Sequence, residues 1–219
     1  SILGVLKAGG AYVPLDPEYP KQRVAHIVAE TRITLVITSR ACGTLPPEWN
    51  GLVLYVEEDP DLGQEQVTDP RRELTPDHLA YVMYTSGSTG KPKGVLGFHG
   101  GMLNYFSYLK ATYQINASDT ILQLPSLAFD ASIRDMLAPL TMGARVILLN
   151  EFDAKDPAAL ISHIQNERVT CILSIVPTLL NAMMDAALGG DPLSDSMRLI
   201  LVSGEALTRA ACQKFQEIF

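Results

Sequence analysis

Residues 84–94, YTSGSTGKPKG, concentrate groups that can hold an anion. Thr85, Ser86, Ser88 and Thr89 offer hydroxyl donors, and Lys91 and Lys93 offer positive charge. Gly87, Gly90 and Gly94 let the backbone turn through positive φ and come close to a ligand. Successive amides and hydroxyls with a cation beside them make a nest suited to a polyphosphate. The stretch is not a Walker A loop. Thr85 stands where that pattern needs its first glycine, and Pro92 follows Lys91 where a serine or threonine should hold magnesium. On chemistry alone, the competing reading is a solvated Gly/Ser loop between the strand AYVMYT and the helix that follows.

Other reactive side chains are scattered. His26, His78 and His163 fall in unremarkable helical or loop contexts and no two histidines stand at ligand spacing, so no metal site is expected. Cys42, Cys171 and Cys212 form no Cys-x-x-Cys pair and read as buried small hydrophobes. Asp16, between Pro14 and Pro17, reads as a turn residue, and the methionines as core filler.

The elements that must position the phosphate stretch alternate. A helix end over 2–8 stops at Gly9-Gly10; helix 21–30 feeds the strand ITLVITS, and GLVLYVE is a second strand. Beyond the stretch come helix 101–112, strand TILQLP, helix 131–141, strand ARVILL, helix 158–167, strand VTCILSI, a helix opened by Pro177, strand MRLILVSG and a last helix. This alternation predicts an α/β fold with mainly parallel sheets flanked by helices. The expected organisation is a first α/β segment over 1–56, a polar surface connection over 57–78, and a segment over 79–219 that carries the chemistry.

Composition narrows the function classes. With 47% hydrophobic residues in 219, the chain can bury a core, and a net charge of −7 argues against a general nucleic-acid binder. No apolar run approaches the ~20 residues of a membrane span, so no membrane role is expected and a reducing cytoplasm is the default. The chain starts and stops inside helical patterns, which reads as an internal piece of a longer polypeptide.

The full word YTSGSTGKPKGV resembles the phosphate-binding signature of the adenylate-forming enzymes, which include acyl-CoA synthetases, luciferases and nonribosomal peptide synthetase adenylation domains. LKAGGAYVPLDPEYP at 6–20 is similar to the upstream signature of the peptide synthetase branch. FDASIRDMLAPLTMGARVIL at 129–148 is similar to that branch's amino-acid-pocket segment. VSGEAL at 202–207 resembles the family's Gly-Gly-Glu-x-Leu turn, with Ser203 in place of the first glycine. The motifs run in family order along the whole chain. They identify it as a partial adenylation domain, the N-terminal core without the C-terminal lid domain.

The resemblance implies a reaction and its residues. An amino-acid carboxylate attacks the α-phosphate of Mg-ATP to give aminoacyl-AMP and pyrophosphate, and the aminoacyl group then passes to the phosphopantetheine thiol of a carrier protein. Thr85, Ser86, Gly87, Ser88, Thr89, Gly90, Lys91 and Lys93 would cradle the phosphates, with the Mg2+ ligands mostly outside this chain. Asp130 would pair with the substrate's α-amino group, because an ammonium in an apolar pocket needs a fixed carboxylate; the competing role is a helix N-cap. Ala131, Arg134, Ser174, Leu201, Ser203 and Gly204 would line the side-chain pocket, with His99 and Phe129 nearby.

Arg134 stands where the family often has a large aromatic, which points to a polar or acidic amino acid unless Arg134 turns outward or pairs with Asp135. The implied partners are a peptidyl carrier domain and a condensation domain of the same synthetase. Without the family's adenine, ribose and catalytic-lysine elements, the chain alone is expected to be inactive. Two other readings stay open. One is an acyl-CoA synthetase, for which a carboxylate at Asp130 has no purpose. The other is a non-catalytic binding or scaffold remnant.

Overall fold

The computed structural model describes residues 1–42, 45–57, 68, 70, 72–86, 91–187 and 195–218. The chain divides into two compact units, Ser1–Leu103 and Asn104–Phe219, with the division inside a helix.

In the first unit, α1 (Ile2–Lys7) ends at Gly9, whose φ of +83° is the left-handed geometry that favours glycine. α2 (Lys21–Thr31) leads into β1 (Leu35–Thr38), which pairs parallel with β2 (Leu52–Tyr55). β3 (Leu79–Thr85) and β4 (Lys93–Phe98) form an antiparallel pair that ends at Thr85 opposite Lys93. Ile27 of α2 packs with Val82 and Tyr84 of β3, and the Tyr84 hydroxyl donates to Glu30 at 2.7 Å.

The hairpin corrects the sequence reading, which puts residues 93–98 in the loop and the approach to the next helix; they form a strand instead. Val95, Leu96 and Phe98 are all exposed in that strand, so its sequence shows no alternation of buried and exposed positions. α3 (His99–Tyr113) follows directly.

The second unit holds a parallel sheet. β5 (Thr120–Gln123), β6 (Arg145–Leu148), β7 (Cys171–Ile175) and β8 (Leu199–Val202) lie in the order β6-β5-β7-β8. The connections are α4 (Ala131–Thr141), α5 (Pro157–Asn166) after a short 3-10 turn (Asp153–Lys155), and α6 (Pro177–Ala187); α7 (Arg209–Ile218) follows β8. Pro157 at the start of α5 has no amide to lose, and Asp156 caps that helix by accepting from the Ala158 amide at 3.0 Å.

The inner strands β5 and β7 are buried on both faces, as their continuous apolar runs predict. Alternate residues serve opposite faces. Leu122 and Ile172 pack with Leu160, Ile164, Leu180, Met183 and Met184 of α5 and α6, whereas Ile121, Cys171 and Leu173 pack with Ile115 and Ala144. Cys171 is therefore core, and burial pushes its thiol up to about 11. Cys42 and Cys212 are exposed, against the expectation that all three are buried, because one lies in the turn after β1 and the other on the open side of α7.

Candidate functional site

The phosphate stretch belongs to the first unit and closes the β3–β4 hairpin. Thr85 is the last residue of β3 and Lys93 the first of β4, directly across from it. Ser86 and Lys91 flank the connection, and all four side chains are exposed. Gly87, Ser88, Thr89 and Gly90 lie outside the described residues. Two basic side chains of α2, neither legible as functional in the sequence, hold the base of the hairpin. An Arg23 Nη2 donates to the Tyr84 carbonyl at 3.4 Å, and His26 Nε2 lies 3.4 Å from the Pro92 carbonyl. Exposed hydroxyls and ammonium groups at a hairpin end suit an anion in contact with water.

His99 also belongs to this unit. It begins α3, its amide donates to the His78 carbonyl at 3.0 Å, and its Nε2 is buried with no partner among the described residues.

In the second unit, topology marks a binding place. From β5 the chain passes through α4 to β6 on one side, then returns through α5 to β7 on the other, so adjacent strands β5 and β7 send their chains in opposite directions. In open parallel sheets the crevice at the C-terminal ends of such a strand pair is where ligands bind. Asp130, Ala131 and Arg134 follow β5, Ser174 sits near the end of β7, and Leu201, Ser203 and Gly204 lie at the end of neighbouring β8.

Asp130 occupies the N-cap position of α4 but makes no side-chain cap hydrogen bond. Its φ and ψ, −60° and −29°, are already helical, which turns the carboxylate away from the amides a cap would satisfy. The residue is exposed. Phe129 beside it is 65% exposed, and Ala131 is half-buried. Gly204 has φ +90°, and an added Cβ there would meet Val176 at 3.3 Å. Glu205 after it accepts from the Thr178 amide at 3.3 Å and the Thr178 hydroxyl at 2.5 Å, tying the turn after β8 to the start of α6.

Arg134, Asp135 and Ser174 form a closed cluster. Arg134 Nε donates to Asp135 Oδ1 at 2.9 Å, an Arg134 Nη2 donates to the Ser174 hydroxyl, and that hydroxyl donates to Asp135 Oδ1 at 3.0 Å. Tyr105 of α3 lies within hydrogen-bonding reach of the guanidinium. The Asp135 side chain is 0% exposed, and its Oδ2 has no partner among the described residues. Burial pushes the Asp135 carboxyl up, to about 6, against the opposing pull of Arg134 and Ser174. Burial also works against the Arg134 charge, and Asp135 together with Tyr105 more than offsets it.

Arg134 thus turns inward to Ser174 and pairs with Asp135 at once, two outcomes the sequence held apart. Neighbours in a helix point about 100° apart, so the sequence offers pairing with Asp135 only as an alternative to the pocket and gives no reason to expect Arg134 to meet Asp135 and Ser174 together. The available signal was a charge set within the apolar run ASIRDMLAPL.

Among the described residues, no three His, Cys, Asp or Glu side chains could hold a metal ion, and no helix is long and apolar enough to cross a membrane.

The model of the AMP-binding enzyme family matches residues 1–219. One of the plipastatin synthase proteins of Bacillus subtilis (strain 168) is 40% identical over 212 residues, covering 95% of this chain and 6% of that protein. Tyrocidine synthase 3 from Brevibacillus parabrevis is 36% identical over 218 residues, covering 99% of this chain and 3% of that protein. Among solved structures, the nonribosomal peptide synthetase FmoA3 in its AMPPNP-bound form superposes with a TM-score of 0.88 at 30% identity, over 99% of this chain and 23% of that one. The chain thus spans only a small part of each relative.

Proposed function

This chain belongs to the AMP-binding enzymes, and on that premise we propose that it is part of a nonribosomal peptide synthetase adenylation domain that activates an amino acid with a polar or acidic side chain. The observation that carries the reading is Asp130, an exposed carboxylate with no cap bond, at the strand ends where an open parallel sheet binds its ligand. An ammonium group is what such a carboxylate answers; a carboxylic acid without an amine gives it no partner.

Residues 79–219 would carry both the phosphate stretch and the amino-acid pocket, with 1–56 as a supporting α/β segment. Thr85, Ser86, Lys91 and Lys93, with Gly87, Ser88, Thr89 and Gly90 between them, would hold the β- and γ-phosphates of ATP. Asp130 would hold the α-amino group, while Ala131, Arg134, Ser174, Leu201, Ser203 and Gly204 surround the side chain, with Phe129 at its margin. The substrate carboxylate then attacks the α-phosphorus, the bond to the β-phosphate breaks, and pyrophosphate leaves with its charge neutralised by the lysines. Positioning and charge neutralisation carry such a step, with little proton transfer. Mg2+ would enter on ATP's own phosphates. The aminoacyl group would pass to the phosphopantetheine thiol of a carrier domain, beside a condensation domain, in the cytoplasm.

The test is amino-acid-dependent ATP-pyrophosphate exchange by the full-length protein. Exchange with one polar or acidic amino acid, lost in Asp130→Ala, supports the reading. Activity with plain carboxylic acids and with no amino acid overturns it in favour of an acyl-CoA synthetase.

A further inference from the structure

We infer that Asp135 is a specificity-positioning residue: by holding Arg134 against Ser174 and cancelling its charge, it makes the pocket select an uncharged hydrogen-bonding side chain over an acidic one. This rests on the amino-acid-activating reading above.

Burial sets the constraint. Asp135 is 0% exposed and Arg134 14%, so neither charge is relieved by water, and each is the other's counter-charge at 2.9 Å. A substrate carboxylate brought to Arg134 would share one guanidinium with the fixed Asp135 carboxylate. Two like charges at such a site repel in a medium of low dielectric. An uncharged acceptor brings no such repulsion and can still take a hydrogen bond from the guanidinium N–H groups that Asp135 and Ser174 leave over.

Ser174 sharpens the choice. Its single hydroxyl proton goes to Asp135 Oδ1, so toward any further partner it acts as an acceptor. Guanidinium donors beside a hydroxyl acceptor match the two ends of a carboxamide, C=O and NH2. They do not match a carboxylate, which has acceptors only. Arg134 read alone suggests an acidic substrate; the buried neighbour reverses that sign.

The experiment measures ATP-pyrophosphate exchange by the full-length protein with glutamine and asparagine against glutamate and aspartate, in wild type and Asp135→Asn. The wild type should use an amide at higher kcat/KM than the matching acid. The isosteric Asp135→Asn change leaves Arg134 uncompensated and should shift the acid-to-amide ratio toward the acid by about ten-fold or more, the scale of one hydrogen bond to a charged group.

Arg134→Gln/Asp135→Asn, neutral again, should return the ratio toward wild type, which a merely structural role would not do. Asp135→Ser, which also leaves Arg134 without its counter-charge, should shift the ratio the same way and tests the same sign if Asp135→Asn does not fold. A wild type that favours the acid, or a ratio unmoved by these changes, overturns the inference and leaves amino-acid activation standing. Absence of exchange with every amino acid in the wild type overturns the underlying reading as well.

Discussion

Arg198 grips Asp119 with two nitrogens of its guanidinium, Nε to Oδ1 at 2.8 Å and an Nη2 to Oδ2 at 2.6 Å, joining the residue before β5 to the residue before β8. Asp119 is 2% exposed and also accepts from the Thr170 hydroxyl at 2.7 Å and the Asn116 amide at 3.0 Å. Burial alone would raise its pKa; these donors outweigh it and hold the carboxyl well below the usual carboxylate range.

Asp119→Ala should destabilise the second unit by about 3 kcal/mol, because it leaves Arg198 and Thr170 without their shared acceptor. Urea unfolding at neutral pH measures this. Since the folded pKa is depressed, the stabilisation is complete above the ordinary carboxylate value and is lost as pH falls through the lower folded value. The variant should lack that acid-sensitive component.

Asp135 should behave with the opposite sign. Its carboxyl is raised from 3.8 to about 6, so between those values the folded state binds more protons than the unfolded chain. Its contribution should therefore make the protein more stable as pH falls from 6 toward 4 and less stable as pH rises through that window. Asp135→Asn should flatten the pH dependence there, read by thermal unfolding at closely spaced pH. An unchanged slope would show that Asp135 is not the titrating group.

Lys91→Ala should lower kcat/KM for ATP in pyrophosphate exchange by about 10- to 100-fold, the scale of a charge-assisted hydrogen bond, with little change in the preference among amino acids. A change in amino-acid preference with ATP use unaltered would remove Lys91 from the phosphate site.

Gly97 of β4 lies opposite Tyr81 of β3, and a Cβ built on it would run into the Tyr81 ring. Gly97→Ala should cost about 1–3 kcal/mol by displacing that ring. The loss should be smaller in a Tyr81→Ala background, since the two residues share one contact. Equal losses in both backgrounds would place the cost elsewhere.

The sequence by itself determined the parallel sheet and, through its motifs, the family to which the chain belongs. Continuous apolar runs such as VTCILSI call for burial on both faces, and YTSGSTGKPKG gathers hydroxyls, glycines and lysines at one place, a composition suited to an anion. Local information of that kind survives without coordinates.

The β4 strand did not show, because its apolar residues are exposed and its register comes from pairing with β3 across the loop. Nor could the sequence choose between the two fates of Arg134. That choice depends on Ser174, forty residues away, meeting a carboxylate on the neighbouring position of α4. The Asp119–Arg198 pair, 79 residues apart, is of the same kind. Charge compensation inside a protein is decided by distance and burial, and both are properties of the packed chain.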